Sequence, residues 1–213
     1  MFGFAVLKPS EYQRPFWLTV ALSVMLLVSV MSYFVHKTRM RGRKLIDFLG
    51  FAPVAMPSVV LGTAFLWFYL LVPLPVLGTL TIICLAYVTR YLAVALRFVS
   101  TSMLQIHSEL EEAAAVAGGG WWSNFRRIYL PLLRPGLMAG WFWVMVHAYR
   151  ELTIALMLAR SRNRTASVVI YDLWENGSFP QLSAFGVLIF GLLIVLVLLG
   201  QTIGKRFGVQ EQV

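Results

Sequence analysis

The sequence predicts an all-α fold, a polytopic membrane helical bundle. Three observations predict it: apolar runs long enough to cross a bilayer, a shortage of charge, and basic residues gathered in the connections between the runs. Of the 213 residues, 59% are hydrophobic and 13% are charged, with a mean hydropathy of +0.76. A soluble domain has about 45–50% apolar and about 25% charged residues. The net charge of +9 is distributed in short clusters rather than along one face, so topology accounts for it and no nucleic-acid partner is expected. Cys84 is the single cysteine; it sits in an apolar run, which excludes a disulfide framework and fits a packed core thiol.

Residues 1–15 have no basic region ahead of an apolar stretch and no small-residue cleavage pattern, so they read as an external N-terminal segment rather than a signal peptide. Five runs then reach the length of about 20 residues that a helix needs to cross hydrocarbon. They cover 16–35, 48–72, 76–98, 135–159 and 182–204. The first, second and fifth carry no charge, the third is interrupted by Arg90 and ends at Arg97, and the fourth contains Arg150 and Glu151. Pro53 and Pro57 fall inside the second run, where each removes a backbone donor. The pair marks either a bendable pathway helix or a static packing kink.

Lys37, Arg39, Arg41, Arg43 and Lys44 follow the first run, Arg126, Arg127 and Arg134 precede the fourth, and Lys205 and Arg206 follow the fifth, which puts ten basic residues on one side. Lys8, Arg14, Arg160, Arg162 and Arg164 put five on the other. The positive-inside rule then places the N-terminus outside and the C-terminus, with its 207–213 tail, in the cytoplasm. Five spans with an external start leave two readings open, a five-helix protein or the latter part of a longer one.

Between the third and fourth runs lies a polar insert, residues 108–131, on the expected cytoplasmic side. Ser108 with Glu111 forms a capping box, and Glu109 and Glu112 add charge that a helix N-terminus favours. A short helix through Ala113–Ala117 should stop at Gly118, Gly119 and Gly120, where glycine permits a reversal. A second should follow with Trp121, Phe125 and Ile128 on one face, closed by Pro131 and Pro135. An aromatic face suits the membrane surface, and a small-residue helix with exposed carboxylates suits a cytoplasmic protein partner. A surface helix without a partner is the plainer alternative.

Glu112, Ala113, Ala114, Gly118, Ile128, Leu130 and Pro131 reproduce E-A-A-x3-G-x9-I-x-L-P, seven fixed positions over twenty residues. This resembles the cytoplasmic signature of the permease subunits of type I ATP-binding-cassette importers. FAPVAMPSVVLGTAFLWFYL, YVTRYLAVALRFVS, RELTIALML and VVIYDLWENGSF look like the C-terminal membrane domain of ferric-iron-type permeases, over roughly Phe16 to Arg206. The resemblance implies a permease transmembrane domain over 16–206 whose insert is a coupling helix seated on a cytoplasmic ATPase dimer. Glu112 would pair with a basic residue of the ATPase, Ala113 and Ala114 would allow close approach, and Gly118 would set the turn. It further implies a second permease domain or subunit, an external solute-binding protein, and ferric iron or a similar small solute as cargo.

Arg150 and Glu151 lie about fifteen residues into the fourth run, about two-thirds of the way across at about 1.5 Å per residue. Charges at that depth belong to a translocation path or gate, or to a structural ion pair for which Arg90 is the available partner. Residues 168–179, with Asp172, Trp174, Glu175 and Asn176, should lie outside as a docking surface or an interfacial loop. His36, His107 and His147 show no metal-ligand spacing and no catalytic groups converge, so neither an enzyme nor a cofactor is expected. No phosphate-binding G-x4-G-K-[ST] loop occurs, so ATP hydrolysis belongs to a partner. His147 and Glu151, one helical turn apart, keep a proton-coupled secondary transporter as the alternative.

Overall fold

Apolar runs become helices wherever the backbone can satisfy its own polar groups, and two of the runs here are interrupted, one at prolines and one after Arg150. The computed structural model describes residues 16–38, 40–72, 78–107, 109, 121–160 and 163–206. In chain order the elements are α1 (Phe16–Lys37), α2 (Arg43–Phe51) continued by a 3-10 turn (Ala52–Ala55), α3 (Ser58–Leu71) and α4 (Leu80–Leu104). Then come α5 (Trp121–Asn124), a π-helical turn (Phe125–Tyr129), α6 (Leu130–Arg150), α7 (Thr153–Leu158), α8 (Ala166–Glu175) and α9 (Phe179–Arg206). Glu112, Ala113, Ala114 and Gly118 lie outside the described residues, as do residues 1–15 and the 207–213 tail.

The core is a three-helix packing of α1, α4 and α6. Val20, Val24 and Val28 of α1, Ile83, Tyr87, Leu96 and Val99 of α4, and Leu133, Val144 and Met145 of α6 are almost fully buried. Small residues set how closely these helices approach, as expected where lipid supplies no hydrophobic drive for helix pairing. A Cβ on Gly136 would lie 2.8 Å from the Phe98 carbonyl oxygen and would overlap the Ser102 side chain, and one on Gly140 would lie 3.2 Å from Phe98 Cβ. The two glycines, one turn apart, let α6 lie directly on α4. On the flank, α3 packs on α7, where a Gly62 Cβ would meet Met157 Cβ at 3.2 Å.

Among the described residues, three helices, Phe16–Lys37, Leu80–Leu104 and Phe179–Thr202, are long and apolar enough to cross a membrane, or up to four spans if the bent pair α2–α3 makes one. The second run is therefore no straight helix: its halves meet at 109°. Proline explains the bend. Pro53 sits at the second position of the 3-10 turn, and Pro57 pushes Met56 into an extended conformation (φ −93°, ψ 124°) from which no helix can continue. The fourth run also differs from a single helix. It starts earlier, at Leu130, and Pro131 sits in its first turn, where a missing N–H costs least. The helix ends at Arg150, Glu151 turns extended (φ −67°, ψ 112°), and α7 resumes at Thr153.

Candidate functional site

The two breaks meet. An open cavity of about 520 Å³ is lined by Val54 from the 3-10 turn, Arg90, Tyr91 and Val94 from α4, Trp143, His147 and Arg150 from α6, and Glu151 from the break beyond it. Three charges singled out in the sequence, Arg90, Arg150 and Glu151, thus share one cavity. Pro53, which is buried, and Pro57, which is exposed, do not line it. They shape the bend that brings Val54 to its wall.

Each break frees backbone carbonyls that hydrocarbon cannot solvate, so side chains have to satisfy them. Arg90 Nη1 donates to the Met56 carbonyl at 3.2 Å, which caps the break in the second span. Tyr91 Oη donates to the His147 carbonyl at 3.0 Å and lies 3.0 Å from Glu151 Oε2. Tyr87 Oη and Ser167 Oγ each donate to the Glu151 carbonyl at 2.7 Å. Glu151 Oε1 accepts from the Ile154 backbone N–H at 3.4 Å, as a capping carboxylate does at a helix start. His147 Nδ1 lies 2.8 Å from the Trp143 carbonyl, so that nitrogen carries the hydrogen, and the ring stacks on Trp143 at 3.8 Å.

Glu151 and Arg90 therefore do not form the ion pair that the sequence left open: Glu151 is held by a tyrosine and a backbone amide, and Arg90 by a carbonyl. Arg150 is exposed and has no hydrogen-bond or ion-pair partner among the described residues. Farther along α4, the Arg97 guanidinium lies 3.9 Å from the centre of the Phe51 ring, a cation–π contact that gives α4 a second hold on the bent segment. Tyr87, Tyr91 and Ser167 were not singled out in the sequence. The signal was there in Tyr87, Arg90 and Tyr91, three polar groups within about one turn of an otherwise apolar run.

Of the seven motif positions, the described ones are Ile128, Leu130 and Pro131. Ile128 is half-buried in the π-helical turn, Leu130 is exposed and Pro131 is half-buried. The extra residue in that turn rotates its buried face, so that Tyr129 takes the inward position. Tyr129 and Phe125 meet Tyr33 of α1 edge-on, with ring centres 5.4 and 5.9 Å apart, and Lys37 Nζ lies 5.8 Å from the Tyr129 ring centre. The C-terminal end of the insert is thus fastened to the end of α1. Helix closure at Pro131 is corrected: the chain runs without interruption from α5 through the π-helical turn into α6.

Toward the other end, Arg164 and Asp172 approach to 3.0 Å as an ion pair between an exposed guanidinium and a half-buried carboxylate. Tyr171 Oη donates to Glu175 Oε1 at 3.3 Å, and that carboxylate raises the tyrosine pKa above its ordinary value. Trp174 is exposed. Asn163, buried at 1% exposure, lashes the loop after α7: Oδ1 accepts from the Arg160 N–H, and Nδ2 donates to the carbonyls of Thr79 and Leu158 at 3.1 and 3.2 Å.

Comparison with known proteins names the class to which this helical bundle with broken spans belongs. Residues 25–206 match the family described as binding-protein-dependent transport system inner membrane component. The chain belongs to that family, the multi-pass inner-membrane permeases of ATP-binding-cassette importers.

Among curated relatives, it is 27% identical over 166 residues to permease PhnV of Salmonella typhimurium LT2, provisionally named for a 2-aminoethylphosphonate transport system, covering 78% of this chain and 63% of PhnV. It is 24% identical to the ferric transport system permease FbpB of Actinobacillus pleuropneumoniae, covering 79% of this chain and 25% of FbpB. It is 27% identical to the putrescine transport system permease PotI of Escherichia coli K12, covering 72% of this chain and 56% of PotI. The chain thus spans less than two thirds of the length of these relatives. Among solved structures, a bacterial alginate transporter in complex with an alginate pentasaccharide-bound periplasmic protein shares the fold with a TM-score of 0.73 at 17% identity, over 94% of this chain and 81% of that one. The MetNI methionine transporter shares it with a TM-score of 0.64 at 15% identity, over 89% and 94%.

Proposed function

We propose that the chain forms one wall of a solute path across the inner membrane and is driven by a separate cytoplasmic ATPase dimer. The observation that carries this reading is the convergence of two helix breaks on a cavity lined by Arg90, Arg150 and Glu151. Charges at membrane depth are retained where they face water or protein, and irregular backbone is tolerated in the same places. A second permease domain or subunit would supply the opposite wall. The exposed apolar faces of α3 and α9, including Trp67, Leu71, Val187 and Phe190, fit lipid or that second domain.

In this reading the insert over 108–131 faces the cytoplasm, with the N-terminus outside. Glu112, Ala113, Ala114 and Gly118 form the coupling contact, and Ile128, Leu130 and Pro131 join it to α6. The π-helical turn and its aromatic contacts with Tyr33 would carry displacement of the insert to α1 and α6 together. Residues 168–179, with exposed Trp174 and the carboxylates of Asp172 and Glu175, would receive an external solute-binding protein. Relatives named for phosphonate, ferric and putrescine transport support a small solute as cargo, ferric iron among the choices. Pro53 and Pro57 would act by holding the bend at the path wall.

The test is reconstitution with the ATPase subunit. Glu112→Arg and Gly118→Pro should abolish co-purification of the ATPase and ATP-dependent uptake, while Glu175→Gln leaves ATPase association intact. If both insert variants bind and transport like the parent, the coupling assignment is wrong.

A further inference from the structure

The lining of the cavity is asymmetric in its chemistry. It has cationic donors to spare and few acceptors. A guanidinium has five N–H donors, and Arg90 commits Nη1 to the Met56 carbonyl. Arg150 commits no donor among the described residues. The single carboxylate in the lining, Glu151, accepts from the Ile154 N–H at Oε1 and has the Tyr91 hydroxyl 3.0 Å from Oε2. His147 Nδ1 is occupied by the Trp143 carbonyl, and one face of Trp143 is covered by the His147 ring at 3.8 Å.

We infer that this cavity receives an oxyanion, a solute bearing a phosphonate, phosphate, sulfate or carboxylate group, in preference to a metal cation or a polyamine. The inference rests on the reading of the cavity as part of the solute path. Planar guanidinium forks match the oxygen pairs of such groups, and two arginines against one carboxylate leave a positive field that a partly enclosed cavity concentrates. A hard metal cation needs several oxygen ligands, and among the described residues no three His, Cys, Asp or Glu side chains could hold a metal ion. An ammonium needs carboxylates in excess of cations or an open aromatic face, and here two guanidiniums outnumber one carboxylate and Trp143 is covered on one face.

The test uses the permease with its ATPase in lipid nanodiscs, arginine modification by phenylglyoxal read residue by residue by mass spectrometry, and inorganic phosphate and methylphosphonate as probes. Both should protect Arg150 and Arg90 from modification, whereas chloride at equal ionic strength, putrescine and ferric citrate matched to its own citrate control should not. Arg150→Gln should raise the phosphate concentration needed to protect Arg90 by about tenfold or more, the loss of a charge-assisted hydrogen bond, and Arg150→Lys should recover part of it. Arg150 is exposed and gives up no hydrogen bond or ion pair to a described residue, so these variants should keep the fold. Protection by putrescine or by ferric ion beyond citrate, protection by chloride equal to phosphate, or no protection by either oxyanion overturns the inference. Retention of the ATPase in the same sample reports separately on the permease reading: a complex that keeps its ATPase but shows no oxyanion protection fails only in substrate class.

Discussion

Tyr91 and Tyr87 sit one helical turn apart on α4 and both donate to the broken end of α6, yet their removal should have unequal costs. Tyr91, 5% exposed, donates its one hydroxyl hydrogen to the His147 carbonyl at 3.0 Å and lies 3.0 Å from Glu151 Oε2. Tyr91→Phe strands the His147 carbonyl, for which no second side-chain donor is in place among the described residues. An unsatisfied buried acceptor costs about 1–3 kcal/mol. Tyr87 shares its acceptor, the Glu151 carbonyl, with Ser167, both at 2.7 Å. Tyr87→Phe leaves that carbonyl satisfied, so the loss should stay at about 1 kcal/mol or less, the net worth of one exchanged hydrogen bond. Ser167→Ala alone should be equally mild. The pair Tyr87→Phe with Ser167→Ala removes both donors and should exceed the sum of the singles by about 1 kcal/mol, within the coupling range seen for groups in one network. Unfolding midpoints in mixed micelles titrated with SDS, compared at constant slope, measure all four variants. A Tyr87→Phe loss as large as that of Tyr91→Phe, or strict additivity of the pair, would refute this account of how the break is capped.

Other substitutions probe the packing and the second break. Gly136→Ala should destabilise by about 1–3 kcal/mol through overpacking, because its Cβ would lie 2.8 Å from the Phe98 carbonyl oxygen. Gly186→Ala, with nothing within 4 Å of the added carbon, should change stability by less than about 0.5 kcal/mol in the same titration. Arg90→Gln should loosen the bend between α2 and α3 by releasing the Met56 carbonyl, widening the distance distribution between spin labels at Val54 and Val60. Asn163→Ala should speed amide exchange at Arg160, whose N–H loses its acceptor, and should destabilise by about 1–3 kcal/mol as the Thr79 and Leu158 carbonyls lose their donor.

Hydropathy carried the helical class, the approximate positions of α1, α4 and α9, and the exceptional status of Arg90, Arg150 and Glu151. These are legible because their physics is local: twenty apolar residues have few other places to go, and a charge among them needs a reason. The interruptions were legible in part. Pro53 and Pro57 announced a bend but not its angle, since proline removes a donor without dictating where the next helix points. The stop at Arg150 was missed because nothing in RELTIALML breaks a helix; it ends there because α4 and Ser167 offer donors to the freed carbonyls. The π-helical turn was invisible for a related reason, as the burial of Tyr129 against Tyr33 and Lys37 decides which face of 125–129 turns inward. Partners distant in sequence settled each of these.

One rod serves both breaks. Tyr87, Arg90 and Tyr91 lie within about one turn of α4; Arg90 reaches the bend of the second span, and the two tyrosines reach the end of α6. The bonds cross to elements that are otherwise separate, so moving α6 or the α2–α3 bend away from α4 would expose carbonyls inside the membrane unless water entered with the motion. Entry of water is what an opening path requires, and its exclusion is what a closed one requires. The same hydrogen bonds that make two broken helices tolerable therefore resist opening until the cavity is wet. Weakening them in Tyr91→Phe should ease opening as well as lower stability. In the complex without ATP, a cysteine placed at Val94 on the cavity wall should then react faster with a small water-soluble thiol reagent than the same cysteine in the parent background. Equal rates would mean that these bonds hold the fold but do not oppose the motion.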